Sequence, residues 1–294
     1  MAALTVGGEL CRGAGPCNED GLFHKPEYAV VFDGASPLAG SVTADCSDAK
    51  WLVDALCVSL PRYLADASLD LAGCLALALE GILPRYLGCE GAASVPAYGV
   101  PSAGAVMVRV VDAELELLRI GDCSLVVGLR SGEFITMEDE LLPALDANAL
   151  SVLVETAARQ GIEARAARPL INDELVANRQ RMNEPGGYWI LEPYGKGVSQ
   201  ASVLRVPLGE VRDVLLMTDG FSSAHDTLHL YANAPELLVA VRDTGVESVF
   251  GAIEAGFAAD PTWNRYPRFK QIDDITAVHV VVGDVRAVGG TGTQ

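Results

Sequence analysis

The stretch Tyr28-Ala29-Val30-Val31-Phe32-Asp33-Gly34-Ala35-Ser36 decides how the rest of the chain is read. Ala29 to Phe32 form an unbroken apolar run suited to a buried strand. The run stops at an acid followed by glycine, where the chain can turn and a carbonyl is freed. Taken alone, Asp33-Gly34 is only a turn after a strand. The pattern recurs, however. Val214 to Gly220 (V-L-L-M-T-D-G) brings Asp219 beside a glycine, and Leu118 to Asp122 (L-R-I-G-D) brings a third acid beside Gly121. Asp273-Asp274 stand directly before the apolar run Ile275 to Val282. Acids at several strand ends, with carbonyls freed by glycine, offer the all-oxygen surroundings that a hard divalent cation takes.

Length and composition narrow the class. At 294 residues with 50% hydrophobic content the chain can bury a large core, and no internal repeat is present. The net charge of -18 speaks against nucleic acid and anionic membrane surfaces as partners, since both would be repelled. The N-terminus shows no basic segment followed by an apolar one. The apolar run Leu69 to Leu83 carries Asp70 and Glu80 and is too short to span a bilayer. Seven cysteines without a C-x-x-C pair, an odd number, point to reduced thiols and a cytoplasmic location.

Periodicity gives the elements. Ala3 to Leu10 reads as an opening strand. Ala49, Leu52, Val53, Leu56 and Leu60 repeat at helical spacing, with Ser41 or Thr43 as the cap and Pro61 as the stop. A buried helix is expected at about Leu69 to Leu83, and strands at Ala105 to Val111, Glu114 to Ile120, Leu125 to Leu129 and Glu133 to Met137. A helical insertion at about 141–187 gathers Arg159, Arg165, Arg168, Arg179 and Arg181, either as a solvated face or as a patch for an acidic or phosphorylated segment. Strands resume at Tyr188 to Leu191, Ala201 to Val206 and Asp213 to Thr218. Helices follow at Pro235 to Val241 and Glu247 to Gly256. Hairpin runs with helices between them predict an α+β domain with antiparallel sheets, a single domain over 1–288 and a flexible tail at 289–294.

Asn18-Glu19-Asp20, Asp33-Gly34, Pro101-Ser102-Ala103, Gly121-Asp122, Thr218-Asp219-Gly220 and Asp273-Asp274-Ile275-Thr276 together resemble the ordered motifs of the metal-dependent protein phosphatases, the PPM or type 2C family, in a bacterial-like form. The resemblance runs from about Glu9 to Val282. It implies a central antiparallel β-sandwich flanked by helices on both faces. It also implies two Mn2+ or Mg2+ ions, with a third in some relatives. Asp33 would bridge the ions, Glu19 and the Gly34 carbonyl would attend one, and Asp219 and Asp273 the other. Asp122 matches an acid that helps hold the third ion, and Asp20 and Asp274 are supporting acids. The ions would activate a water for attack at phosphorus, with Asp33, Asp219 and Asp273 as the catalytic set and a phosphorylated protein as substrate.

The chain also departs from that pattern. Gly15 stands where many relatives have a phosphate-gripping arginine, and Ala35 where some have a histidine. Arg12, Arg268 and Lys270 are the candidates for the missing positive charge. Motifs for nucleotide binding, zinc proteases and a serine nucleophile are absent. Two readings follow: a phosphoserine/phosphothreonine phosphatase, or a pseudophosphatase that keeps the fold and works by binding.

Overall fold

A computed structural model describes residues 3–283. The tail at 289–294 and the domain end at 288 lie outside the described residues. In chain order the strands are β1 (Leu4–Arg12), β2 (Gly21–Lys25), β3 (Tyr28–Gly34), β4 (Ala103–Val111), β5 (Glu114–Ile120), β6 (Ser124–Leu129), β7 (Phe134–Met137), β8 (Ser202–Pro207), β9 (Val211–Met217) and β10 (Ile275–Val282). The helices are α1 (Asp48–Leu64), α2 (Leu71–Leu87), α3 (Leu141–Gln160), α4 (Ala164–Ala167), α5 (Asn172–Arg179), α6 (Asp219–Asp226), α7 (Ala234–Thr244) and α8 (Val246–Ala258). Two antiparallel five-stranded sheets form, in the orders β1-β10-β9-β6-β7 and β2-β3-β4-β5-β8.

The apolar runs are continuous because most strands are covered on both faces. Val31, Val106, Val108, Leu117, Val127, Val214, Leu216, Val278 and Val280 meet between the sheets. The alternate residues of the same strands point outward. Val30, Phe32, Met107 and Leu118 pack under Leu52, Leu56 and Leu60 of α1 and Leu75 and Leu79 of α2. On the opposite side Val126, Leu215, Met217 and Ala277 pack under Phe221 of α6, Leu237 and Leu238 of α7 and Val249 and Ile253 of α8. The result is the helix-sheet-sheet-helix layering that the resemblance implies, with the antiparallel sheets expected from the hairpin pattern.

Register puts the strand ends that matter at one end of the sandwich. Arg12 at the end of β1 pairs with Ile275 at the start of β10, and Met217 at the end of β9 pairs with Ala277. In the other sheet Gly21 at the start of β2 pairs with Phe32, and Asp33 pairs with Gly104 at the start of β4. Asp33 is the next-to-last residue of β3, and Glu19, Asp20, Asp122, Asp219, Asp273 and Asp274 lie just outside the ends of β2, β5, β9 and β10.

Several boundaries differ from expectation. Ser47, not Ser41 or Thr43, caps α1 by accepting from Lys50 N at 3.0 Å. Ser41 and Thr43 instead donate to the Asp48 carboxylate in the first turn. Pro61 does not end α1, and Pro84 lies inside α2. Each sits near its helix's C-terminus, where Leu64 packs into the core under the sheet and the buried Tyr86 packs against Trp51 and Tyr194. Tyr188 to Leu191 is no strand and makes only isolated bridges, Met182 with Tyr188 and Ala103 with Leu191. The insertion is α3, α4 and α5, whose Leu153, Ala157 and Ile171 form a small core together with Trp263 from the segment before β10. Helix α3 is long and apolar enough by length and composition to cross a membrane, and its Ala149, Leu153 and Ala157 are packed into that small core. The expectation of reduced thiols throughout is corrected by a Cys17–Cys46 disulfide, while Cys11, Cys57, Cys74, Cys89 and Cys123 are free.

Candidate active site

The site is assembled by backbones that approach more closely than side chains allow. A Cβ on Gly34 would collide with the backbone carbonyl of Glu19, and one on Gly220 with the carbonyl of Asp274. Glycine at these positions therefore brings the end of β3 against the Glu19 loop, and the start of α6 against the segment before β10. Asp274 fastens the same junction, because its carboxylate accepts from Ala14 N at 2.8 Å and from Glu19 N at 2.7 Å. Ser36 Oγ donates to Glu19 Oε2 at 2.5 Å, which aims that carboxylate. Thr218 Oγ1 donates to Asp20 Oδ2 at 3.2 Å.

Around this junction stand the acids. Asp219 opens α6, and its N–H donates to Asp33 Oδ2 at 3.3 Å. Asp33, Asp122, Asp219 and Asp273 are half-buried, whereas Glu19, Asp20 and Asp274 are buried. Burial, and then the charges of Asp219, Asp20 and Asp122, hold the Asp33 carboxyl well above the usual carboxylate range. Asp219 is raised in the same way by burial and by Asp273 and Asp122, and Asp122 by burial first. Asp20 is pushed up to about 8 by burial, with Asp274 and Asp273 adding to the effect.

These residues suit a divalent cation in donor chemistry: oxygen only, crowded together and mutually repelling. Among the described residues no three acidic, histidine or cysteine side chains close on a single point as a finished ligand set. The acids ring the junction without contracting onto it.

A cleft of about 560 Å³ opens beside them, with Asp122, Asp219 and Asp273 on its wall and Leu142, Leu150 and Phe269 across from them. The insertion and the 267–273 segment supply much of its lining. Asp146 of α3 also lines it, with its carboxyl pushed up to about 7 by burial and by Asp122.

The three proposed phosphate cations are engaged elsewhere. Arg12 is exposed, does not line the cleft, and pairs with Glu247 at 3.3 Å. Arg268 is 8% exposed, and its guanidinium is taken up by the Asp260 carboxylate at 3.1 Å and by the carbonyls of Tyr266, Gln271 and Asp260. Lys270 does reach the acids, but its Nζ lies 2.6 Å from Asp273 Oδ1. Burial works against the Lys270 charge, and Asp273, Asp219 and Asp33 outweigh burial and raise its pKa. Ser36 has no sequence signal beyond proximity to Asp33-Gly34, and Asp146 of the insertion has none. Arg179 was visible only as one of five insertion arginines.

A family model described as Protein phosphatase 2C matches residues 8–243. No curated protein sequence matches the chain. Among solved structures, the catalytic domain of the serine/threonine protein phosphatase PstP in complex with two manganese ions superposes with a TM-score of 0.53 at 16% identity, covering 97% of this chain and 100% of that one. The Mycobacterium tuberculosis serine/threonine phosphatase PstP/Ppp gives 0.50 at 15%, covering 96% and 97%. Stp1 from Staphylococcus aureus gives 0.53 at 12%, covering 96% of each chain. At these identities the structural likeness establishes the shared fold. The sequence match spans most of the chain and takes in Glu19, Asp33, Asp122 and Asp219, so the chain belongs to the protein phosphatase 2C family.

Proposed function

We infer that the protein is a Mn2+- or Mg2+-dependent phosphatase acting on phosphoserine or phosphothreonine in proteins. The observation that carries this reading is the meeting of acids from five separate segments, Glu19, Asp33, Asp122, Asp219 and Asp273, at one end of the sandwich. Glu19, Asp33 and the Gly34 carbonyl would hold one ion and Asp33, Asp219 and Asp273 a second, with Asp122 placed for a third. An oxygen-only set favours magnesium or manganese over zinc. Ions so held supply Lewis acidity and a nucleophile at neutral pH.

The chain's own residues do the positioning. Asp274 fixes the loop that carries Glu19, Ser36 aims the Glu19 carboxylate, and Thr218 orients Asp20. The neighbouring cleft has room for the residues flanking the phosphorylated one. Its rim acids Glu138, Asp139, Asp146 and Asp226 favour a basic flanking segment over an acidic one. Five of the seven cysteines are free, and on that ground we propose a cytoplasmic location.

One observation favours a second reading. The Lys270 ammonium already sits on Asp273, as it would in a pseudophosphatase that binds phosphoproteins without turnover. The experiment that separates the two is hydrolysis of an aryl phosphate, and of phosphopeptides with basic or acidic flanks, with manganese or with chelator. The enzyme reading expects metal-dependent turnover, lost in Asp33→Asn, faster on the aryl ester because Ala35 offers no imidazole to protonate an alkyl leaving group. Undiminished turnover in chelator, or wild-type rates for Asp33→Asn, would sink it. Absence of turnover with manganese bound would support the pseudophosphatase.

A further inference from the structure

A substrate phosphate carries up to two negative charges into a site walled by carboxylates, and a side-chain cation beside the ions would share in holding it. A cation already paired with an acid is a poor candidate, because the phosphate would have to displace a carboxylate to reach it. Arg12 is paired with Glu247, Arg119 with Asp139, Arg268 with Asp260 and Lys270 with Asp273. The loop between Arg12 and Asn18 brings no other cation, and Gly15 on it faces open space.

Arg179 is different. It is the last residue of α5, half-buried, and among the described residues its guanidinium bonds only to neutral acceptors, the Ser102 hydroxyl at 3.4 Å and the Ser36 carbonyl at 3.3 Å. Both contacts are at the long end of hydrogen-bond distance and leave most of its five N–H donors free. Ser36 is the residue that aims Glu19, and it lies two residues beyond Gly34. The Arg179 charge is also felt by Asp122 and Asp146, where it opposes the rise in their pKa values. It therefore stands beside the acid centre without being neutralised by an ion pair. The insertion holds it there, because Leu175 of the same helix is packed in the insertion's core and Asn178 Nδ2 donates to the Leu145 carbonyl at 3.1 Å.

Resting on the phosphatase reading above, we propose that Arg179, carried in by the helical insertion, is the residue that grips the substrate phosphate in this chain. Guanidinium presents a planar fork that matches two phosphate oxygens. The role that the sequence offered to Arg12, Arg268 and Lys270 falls to an arginine more than 140 residues from the Asp33 strand, on an element outside the sandwich. The insertion is then part of the active site, and its position relative to the sandwich sets how well phosphate is held.

The competing explanation is a clamp, in which Arg179 merely ties the insertion to the 36 and 102 segments. The two differ in what phosphate feels. The test uses the full chain loaded with manganese, comparing wild type with Arg179→Ala and Arg179→Lys. Orthophosphate binding is read by calorimetry, orthophosphate inhibition and KM by assay on an aryl phosphate, and manganese binding and melting temperature serve as controls. We expect Arg179→Ala to weaken orthophosphate binding and raise KM by at least about tenfold, as loss of a charge-assisted contact does. Manganese affinity should stay unchanged and kcat should fall less than KM rises. Arg179→Lys, which keeps the charge and loses the fork, should recover part of the loss. Wild-type orthophosphate binding in Arg179→Ala would overturn the proposal, as would a parallel loss of manganese affinity and melting temperature. If the wild type binds orthophosphate through Arg179 yet turns nothing over, the proposal stands and the catalytic reading fails. Absence of orthophosphate binding in the manganese-loaded wild type overturns the proposal itself.

Discussion

The Lys270 ammonium stands 2.6 Å from Asp273 and is held there by Asp219 and Asp33 as well. A lysine in that place does to the carboxylates, in part, what a divalent ion would do: it offsets their mutual repulsion. It therefore competes with any ion that uses Asp273. Lys270→Met is expected to lower the melting temperature of the metal-free protein, because the acids lose the ammonium that offsets their repulsion, and to tighten manganese binding several-fold. Calorimetric titration checks this, and an unchanged manganese affinity would show that Lys270 moves aside at no cost. Arg268, three residues before Gln271 in the same segment, is the contrasting case. Sequence gave the two residues the same standing, yet Arg268 is folded against Phe257 and Trp263 and spent on Asp260. Whether a basic residue is free depends on which acid the fold sets beside it, and no local pattern encodes that.

At the scale of elements, β9, β10 and α7 share a buried charge group that works in the opposite sense to the active-site acids. Asp213 accepts from Arg242 Nε at 2.8 Å and lies 3.1 Å from His279 Nε2. Burial alone would raise its pKa, but the bonds from His279 and Arg242 prevail and bring it to about 2. A depressed carboxyl pKa stabilises the fold above the unfolded value of 3.8 and loses that contribution as pH falls toward 2. Asp213→Asn should remove this part of the acid-unfolding limb and cost roughly 2–3 kcal/mol at neutral pH, since it leaves Arg242 and His279 without their anion. Denaturant unfolding at pH 7 and pH 3 measures it, and an equal cost at both would refute the assignment. Elements also show what the sequence made legible. Runs such as Ala29 to Phe32 and Ile275 to Val282 read as strands because both faces are buried, and the acid that follows the first run and the acids that precede the second point to the site. Gly21 to Lys25 went unread, since a glycine, a histidine and a lysine dilute its pattern and its pairing to β3 is a tertiary fact. Helix α6 is hidden in the sequence because it begins at Asp219 itself, with only its N-cap Thr218 between it and Met217, the last residue of β9. The Cys17–Cys46 pairing spans 29 residues and no spacing rule points to it.

Across the whole molecule, the acids held near one another set function against stability. Metal-free, Asp33, Asp122 and Asp219 repel one another from partly buried positions, and the fold carries that repulsion on top of a net charge of -18. Divalent ions bind the folded arrangement and not the dispersed chain, so they should raise the melting temperature by mass action. At a free concentration about a hundredfold above Kd the gain is about 2.7 kcal/mol. For a chain of this size each kcal/mol is worth about 2–4 °C, so manganese should raise the melting temperature by roughly 5–10 °C. Sodium chloride at equal ionic strength should do much less, because a crowded, partly buried cluster is poorly screened. Asp33→Asn sharpens the test by giving shifts of opposite sign. It removes one of the repelling charges, while its amide oxygen can still accept from Asp219 N, so the metal-free variant should melt higher than the metal-free wild type. The same change takes away the carboxylate expected to be shared by both ions, so the manganese-induced rise should largely disappear. A variant that melts lower without metal, or keeps the full manganese shift, would mean that Asp33 is held in place by packing and is not the centre of the charge cluster.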